Sequence, residues 1–182
     1  MKVGIVGHGV VGNAVHKLFP HAIVYDEPLE IGTREEINQC EITFLCVPTP
    51  MAENGSCNTS IVEKCLDWIQ SEIIVIRSTV PVGFTDSMVE KHHKNIIFQP
   101  EYLGETAAHP FVDMRERGWI TLGGEHHVVS KVVELYQTVY NSNVAFHITN
   151  AKVAELAKYM ENTFFALKVT FCNEMFDVAE AL

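Results

Sequence analysis

Short apolar runs and amphipathic segments alternate along this chain from its first residues. Residues 2–7 form an apolar run ending on glycine, the pattern of a buried strand. Over residues 10–19, Val11, Val15 and Leu18 recur on one side of a helix. Residues 22–26 give a second strand, 33–39 a short polar helix, and 42–47 a third strand halted by Pro48-Thr49-Pro50. Ile61, Cys65, Leu66 and Ile69 make the apolar face of a helix over 59–70. The pattern then predicts a strand at 73–78, a helix at 85–93 and strands at 96–99 and 119–122. A helix at 128–140 and a strand at 144–148 follow. Residues 151–182 contain no Pro or Gly, and Val153, Leu156, Ala157, Met160, Phe164 and Leu167 keep helical spacing, so one long helix is expected.

This alternation predicts an α/β fold, a Rossmann-like, doubly wound and mostly parallel sheet over residues 1–150, with 151–182 as a long C-terminal helix. A helix of about 30 residues exceeds what one small domain needs for its own core. Its second half carries Phe164, Phe165, Phe171, Met175 and Phe176, which implies packing against another domain or subunit.

The first predicted turn carries chemistry. Gly7-His8-Gly9-Val10-Val11-Gly12 matches G-x-G-x-x-G, and it follows a strand and opens a helix, the context that gives the pattern meaning. Gly7 permits the tight turn, Gly9 lets a pyrophosphate approach the backbone, and Gly12 lets the helix pack close to the sheet. The helix N-terminus then offers free N–H groups and partial positive charge to phosphate. Asp26 ends the second strand, 19 positions after Gly7, where a carboxylate accepts the ribose hydroxyls of a dinucleotide. Glu27 and Glu30 would repel a 2′-phosphate, so NAD is favoured over NADP.

Composition narrows the classes further. The 182 residues are 47% hydrophobic and 20% charged, which suits a packed core and not a disordered chain. The net charge of -10 argues against a nucleic-acid surface, whereas backbone N–H groups still let an acidic protein hold a nucleotide. The five cysteines are irregularly spaced with no CxxC pair, which points to reduced thiols in a cytoplasmic protein. No metal site is expected: His92-His93 and His126-His127 are adjacent pairs, whose side chains diverge on a helix. No apolar run approaches the roughly 20 residues needed to span a bilayer, and the N-terminus has the pattern of an opening strand, not a signal peptide.

Further motifs extend the pattern: Val47-Pro48-Thr49-Pro50, Ser78-Thr79-Val80-Pro81-Val82-Gly83, Pro100-Glu101-Tyr102-Leu103-Gly104-Glu105, and Glu155 through Asn162. With the glycine turn, in this order, the chain resembles the UDP-glucose/GDP-mannose dehydrogenases, NAD-dependent nucleotide-sugar dehydrogenases. The resemblance covers their N-terminal domain and the start of their central, dimerisation helix. It implies that Val47, Pro48, Thr49, Ser78 and Thr79 lie along the cofactor, with Thr79 and Glu105 towards the nicotinamide. It implies Glu101 beside the sugar, positioning a water, with Tyr102 and Leu103 at the substrate. Lys158 and Asn162 would hold the reacting sugar oxygen. By spacing alone these two share one helix face, which suits plain solvation better than an oxyanion, and it is the order of the motifs that favours the oxyanion.

Two departures stand out. Only residues 27–41 separate Asp26 from Ile42, where the family fits another helix and strand, so the sheet is expected to be one strand short. The family's nucleophilic cysteine, in a glycine-rich segment, has no counterpart among Cys40, Cys46, Cys57, Cys65 and Cys172, of which Cys46 and Cys172 are expected to be small buried hydrophobes. The expected function is therefore the NAD-binding portion of a UDP-glucose 6-dehydrogenase-like enzyme, a homodimer through its last helix, with a separate chain able to supply the other half. A non-catalytic NAD-binding module and a short β-hydroxyacid-dehydrogenase-like enzyme remain as alternatives.

Overall fold

The structure, a computed structural model, describes residues 1–103, 114–116, 118–140 and 144–182. Its elements are β1 (Val3–Val6), α1 (Val10–Leu18), β2 (Ile23–Tyr25), α2 (Arg34–Ile37), β3 (Ile42–Leu45), α3 (Ser60–Trp68), β4 (Ile73–Ile76), α4 (Phe84–His92) and β5 (Asn95–Phe98). A 3-10 turn (Met114–Glu116) precedes β6 (Trp119–Gly123), α5 (His126–Gln137), β7 (Ala145–Thr149) and α6 (Ala151–Glu180). The seven strands run β2-β1-β3-β4-β5-β6-β7. Every pair is parallel except β5 with β6.

Period-2 alternation sorts the strand residues into two layers. Ile73 and Val75 face one side with Ile5, Phe44, Val15 of α1 and Val132 of α5. Ile74 and Ile76 face the other with Leu45, Leu66 of α3, Met88 of α4 and Ala154 of α6. Strands covered on both faces read as unbroken apolar runs, which is why 73–76 shows no polar alternation.

The shortened segment after Asp26 behaves as expected. It holds only α2, opened by a capping box in which the Thr33 side chain accepts the Glu36 N–H while Glu36 reaches back to the Thr33 N–H. No strand intervenes there among the described residues, and β2 edges the sheet. Helix α5 begins at His126, two residues ahead of the apolar face, with His126 and His127 exposed before Val128 and Val129 turn into the core.

Only Ala151, Ala154 and Glu155 of α6 are buried. A Cβ on Gly123 would come 2.5 Å from the Ala154 Cβ, so the start of α6 packs tightly on the end of β6. Beyond that the helix runs into solvent, with Phe164 at 55% and Phe176 at 63% exposure. Cys172 lies on this stretch and is exposed, which corrects the expectation of a buried thiol. Cys46, by contrast, is held by the core, and burial pushes its thiol up to about 12.

Candidate active site

The site gathers at the C-terminal ends of the parallel strands, where open α/β sheets bind ligands. Its three glycines are needed for different reasons. Gly7 has φ +91, donates its N–H to the Tyr25 carbonyl at 2.9 Å, and would carry a Cβ 2.6 Å from the Cys46 carbonyl oxygen. A Cβ on Gly12 would collide with the Gly7 carbonyl oxygen. Gly9 differs: its φ is -72, open to any residue, and no described atom lies within 4 Å of where its Cβ would stand. Packing and backbone geometry leave its side chain free to exist. Gly9 caps α1 without a side-chain hydrogen bond, so the unpaired N–H groups of the first turn face a cleft of about 430 Å³ between Val10, Asn13 and Leu103. His8 beside it sets its imidazole Nε2 3.2 Å from Nδ1 of His16.

Asp26 is tied to this turn. One carboxylate oxygen accepts the His8 N–H at 2.6 Å and the other the Leu29 N–H at 3.0 Å. A carboxylate has about four acceptor sites, so two stay open. They border a cavity of about 450 Å³ walled by Val47, Pro48, Ile61, Trp68, Lys64 and Arg34. Sequence reasoning missed Arg34. Its guanidinium lies 5.1 Å from the Trp68 ring centroid, and its Nε donates to the Tyr25 hydroxyl at 3.2 Å. The signal was present in the Thr33-x-x-Glu36 capping box, which fixes Arg34 as the first residue of α2, pointing back along the chain to β2.

The two threonine segments are stitched together. Thr49 donates its hydroxyl to the Thr79 carbonyl at 2.8 Å, and Ser78 donates to the Val47 carbonyl at 2.6 Å. Cys57, which carried no functional signal in the sequence, also points its thiol at the Thr79 carbonyl, at 3.4 Å. It is a neighbour of Tyr159 on α6, whose phenol is pushed up by burial and then by that thiol.

Glu101 sits in a network that spacing did not announce. It is 8% exposed and ion-paired with Arg77, the charged residue that ends the apolar run of β4. Its other oxygen accepts the N–H groups of Tyr102 at 2.7 Å and Leu103 at 2.6 Å, fixing the turn that carries both residues. Arg77 also reaches the Tyr136 hydroxyl at 3.4 Å, which donates to Gln99 at 2.6 Å, and burial pushes that phenol up to about 12. Lys158 is half-buried, with its ammonium 5.1 Å from the Tyr102 ring centroid. Asn162 follows one turn later on the same face and is exposed. The structure thus brings Thr49, Thr79, Tyr102, Leu103 and Lys158 around the strand ends. Glu105 lies outside the described residues.

Residues 20–142 match the NAD binding domain of the UDP-glucose/GDP-mannose dehydrogenase family, and 152–182 match that family's central domain. The chain belongs to this family. NAD, the cofactor read from the glycine turn and Asp26, is the cofactor of the matched domain. Among curated relatives, the UDP-glucose 6-dehydrogenase TuaD of Bacillus subtilis is 30% identical over 79% of this chain and 33% of its own length. The UDP-N-acetyl-D-mannosamine dehydrogenase of Methanocaldococcus jannaschii is 26% identical over 85% of this chain and 38% of its own. The fold matches a GDP-mannose dehydrogenase from Pseudomonas aeruginosa at TM-score 0.79, with 22% identity over 96% of this chain and 52% of that one. It matches a UDP-glucose dehydrogenase from Pyrobaculum islandicum at TM-score 0.79, with 24% identity over the same shares, 96% and 52%. The chain spans about a third to a half of these dehydrogenases. No helix among its described residues is long and apolar enough to cross a membrane.

Proposed function

We propose that this chain is the NAD-holding half of a nucleotide-sugar 6-dehydrogenase, acting on the C6 alcohol of a UDP-glucose-like substrate. Gly9 carries the reading: a glycine that neither φ nor packing requires, at the mouth of a helix N-terminus, is explained by a ligand backbone lying against it. Gly7 to Gly12 seat the pyrophosphate. Asp26 takes the ribose, and Arg34 and Trp68 wall the adenine side in place of the strand that this sheet lacks. Thr49 and Thr79 line the nicotinamide end.

NAD, when bound, supplies the hydride acceptor. The chain's own residues do the rest. Lys158 and Asn162 hold the sugar oxygen and stabilise negative charge as it develops there. Glu101 acts through the turn it braces, presenting Tyr102 and Leu103 to the substrate. Residues 1–150 form the cofactor domain, and 151–182 begin the helix that joins it to the remainder of the enzyme, in one polypeptide or two. An acidic, reduced-thiol chain of this kind suits the cytoplasm and has no nucleic-acid partner.

Calorimetry tests the cofactor site. NAD binds and NADP binds at least about tenfold more weakly, a gap of about 1.4 kcal/mol. Asp26→Ala weakens NAD and narrows the gap, since it removes both the ribose acceptor and a negative charge that repels a 2′-phosphate. Equal affinity for NAD in both proteins rules this ribose site out. Release of NADH from UDP-glucose or GDP-mannose, set against small hydroxyacids, identifies the substrate class.

The exposed face of α6 makes the protein a homodimer in this reading. Phe164, Phe171, Met175 and Phe176 are each between 48% and 63% exposed in the single chain, a patch that soluble proteins cover. Sedimentation should give a dimer, and Phe171→Glu with Phe176→Glu a monomer of unchanged NAD affinity. A wild-type monomer sinks the dimer.

A further inference from the structure

Glu155 is a charged residue with 0% exposure, and it is not among the residues that line the two cofactor cavities. It leaves α6 and accepts two backbone N–H groups of α4: Gly83 at 2.6 Å and Thr85 at 2.8 Å. These belong to the N-terminus of α4, whose own cap, Gly83, has φ +91 and no side chain to serve it. A carboxylate at a helix N-terminus is well placed for both charge and hydrogen bonding. The preferred cap is local, a Ser, Thr, Asp or Asn at the N-cap position itself, whose side chain accepts an N–H two or three residues on. Here it comes from 70 residues away, so the cap also pins α6.

We propose that Glu155 is a positioning residue, which sets the rotation of α6 and so the place of Lys158 and Tyr159 over the strand ends. This rests on the dehydrogenase reading above for what Lys158 does, not for where either residue lies. Glu155 is the last buried residue of α6, and Lys158 and Tyr159 follow it by three and four positions, in the next turn. No residue further along the helix is buried, and the ties beyond it, Tyr159 to Cys57 and Lys158 to the Tyr102 ring, belong to the two residues being positioned. The other polar tie between α6 and α4, Lys152 to Asp86 at 3.3 Å, is between side chains 61% and 46% exposed, and such pairs hold little. With side-chain ends about 5 Å from the axis, a roll of about 20° moves them by about 2 Å. A shift of about 1 Å in a reacting group already lowers a rate by about 100-fold.

The test uses the whole chain and reads Lys158 directly. Acetylation by an amine-reactive ester, followed by peptide mass spectrometry, compares wild type with Glu155→Gln and Glu155→Asp, with Lys131 as the distant control. Gln keeps the volume but turns a donor towards the Gly83 or Thr85 N–H. Asp keeps the charge one methylene short. Lys158 labelling is expected to rise about tenfold in the Gln variant and at least about threefold in the Asp variant, with Lys131 unchanged and the NAD Kd within about twofold. Where Gln does not fold, Asp decides. Lys158 labelling within about twofold of wild type in the folded variants overturns the proposal and leaves Glu155 as a cap of α4 alone. Failure of the dehydrogenase reading shows separately, as wild type that does not bind NAD.

Discussion

Gly9→Val is expected to raise the NAD Kd by at least about 100-fold, or 2.7 kcal/mol, while shifting the melting temperature by no more than about 3 °C. Gly12→Val is expected to lose stability first, by about 3 kcal/mol or more, lowering the melting temperature by about 6 to 12 °C. The two glycines are three residues apart in one motif. A Gly12 Cβ meets the Gly7 carbonyl oxygen, part of the backbone that β1 holds in place, so neither partner can give way. A Gly9 Cβ meets nothing the chain itself supplies. Valine at this cap position costs the helix only a fraction of a kcal/mol to about 1 kcal/mol. What it fills is the space beside the first-turn N–H groups of α1, and the pyrophosphate must then stand off from its donors. Calorimetry and thermal melts on the two variants check both halves. If Gly9→Val binds NAD like wild type, the phosphate does not sit at this turn.

The sequence was most legible where one residue's identity decides a local geometry. Gly7, at the end of a buried run and the start of a helical one, announced the turn, and the absence of Pro and Gly after residue 150 announced α6. The spacing of Asp26 and Ile42 announced a short edge, because residues 27–41 hold one turn of helix and cannot also cross back as a strand. Long-range polar pairs were not legible. Arg77 read as the end of a strand because nothing in its neighbourhood indicates Glu101 or Tyr136, 59 residues on. Glu155 stood in a motif but with no role read from it, since its partners are backbone N–H groups and leave no trace in side-chain pattern. Cys57 and Arg34 entered the site through loop and helix placement, from segments that lie between the motifs. Periodicity reports which face is buried, and says little about which charge is buried with which.

The buried pair gives the second large effect. Arg77→Met is expected to destabilise the protein by about 3 to 5 kcal/mol, because Glu101 stays buried and loses its cation. For a chain of this size that is a fall of about 6 to 20 °C in melting temperature. Glu101→Gln keeps an amide oxygen to accept the Tyr102 and Leu103 N–H groups, but it leaves the Arg77 guanidinium buried without its anion and is also expected to destabilise. The double variant Arg77→Met with Glu101→Gln is expected to recover at least half of the loss, as no unpaired charge remains. Equal stability of the single Met variant and the double would mean that Arg77 is held by Tyr136 and packing, and that its pairing with Glu101 counts for little. The same variants separate two uses of Glu101. If the carboxylate positions water in the reaction, Glu101→Gln lowers the turnover of the folded protein while NAD affinity holds. If it serves as the brace of the 101–103 turn, Gln supports turnover, and Glu101→Ala, which frees both N–H groups, abolishes it together with the Lys158 contact to Tyr102.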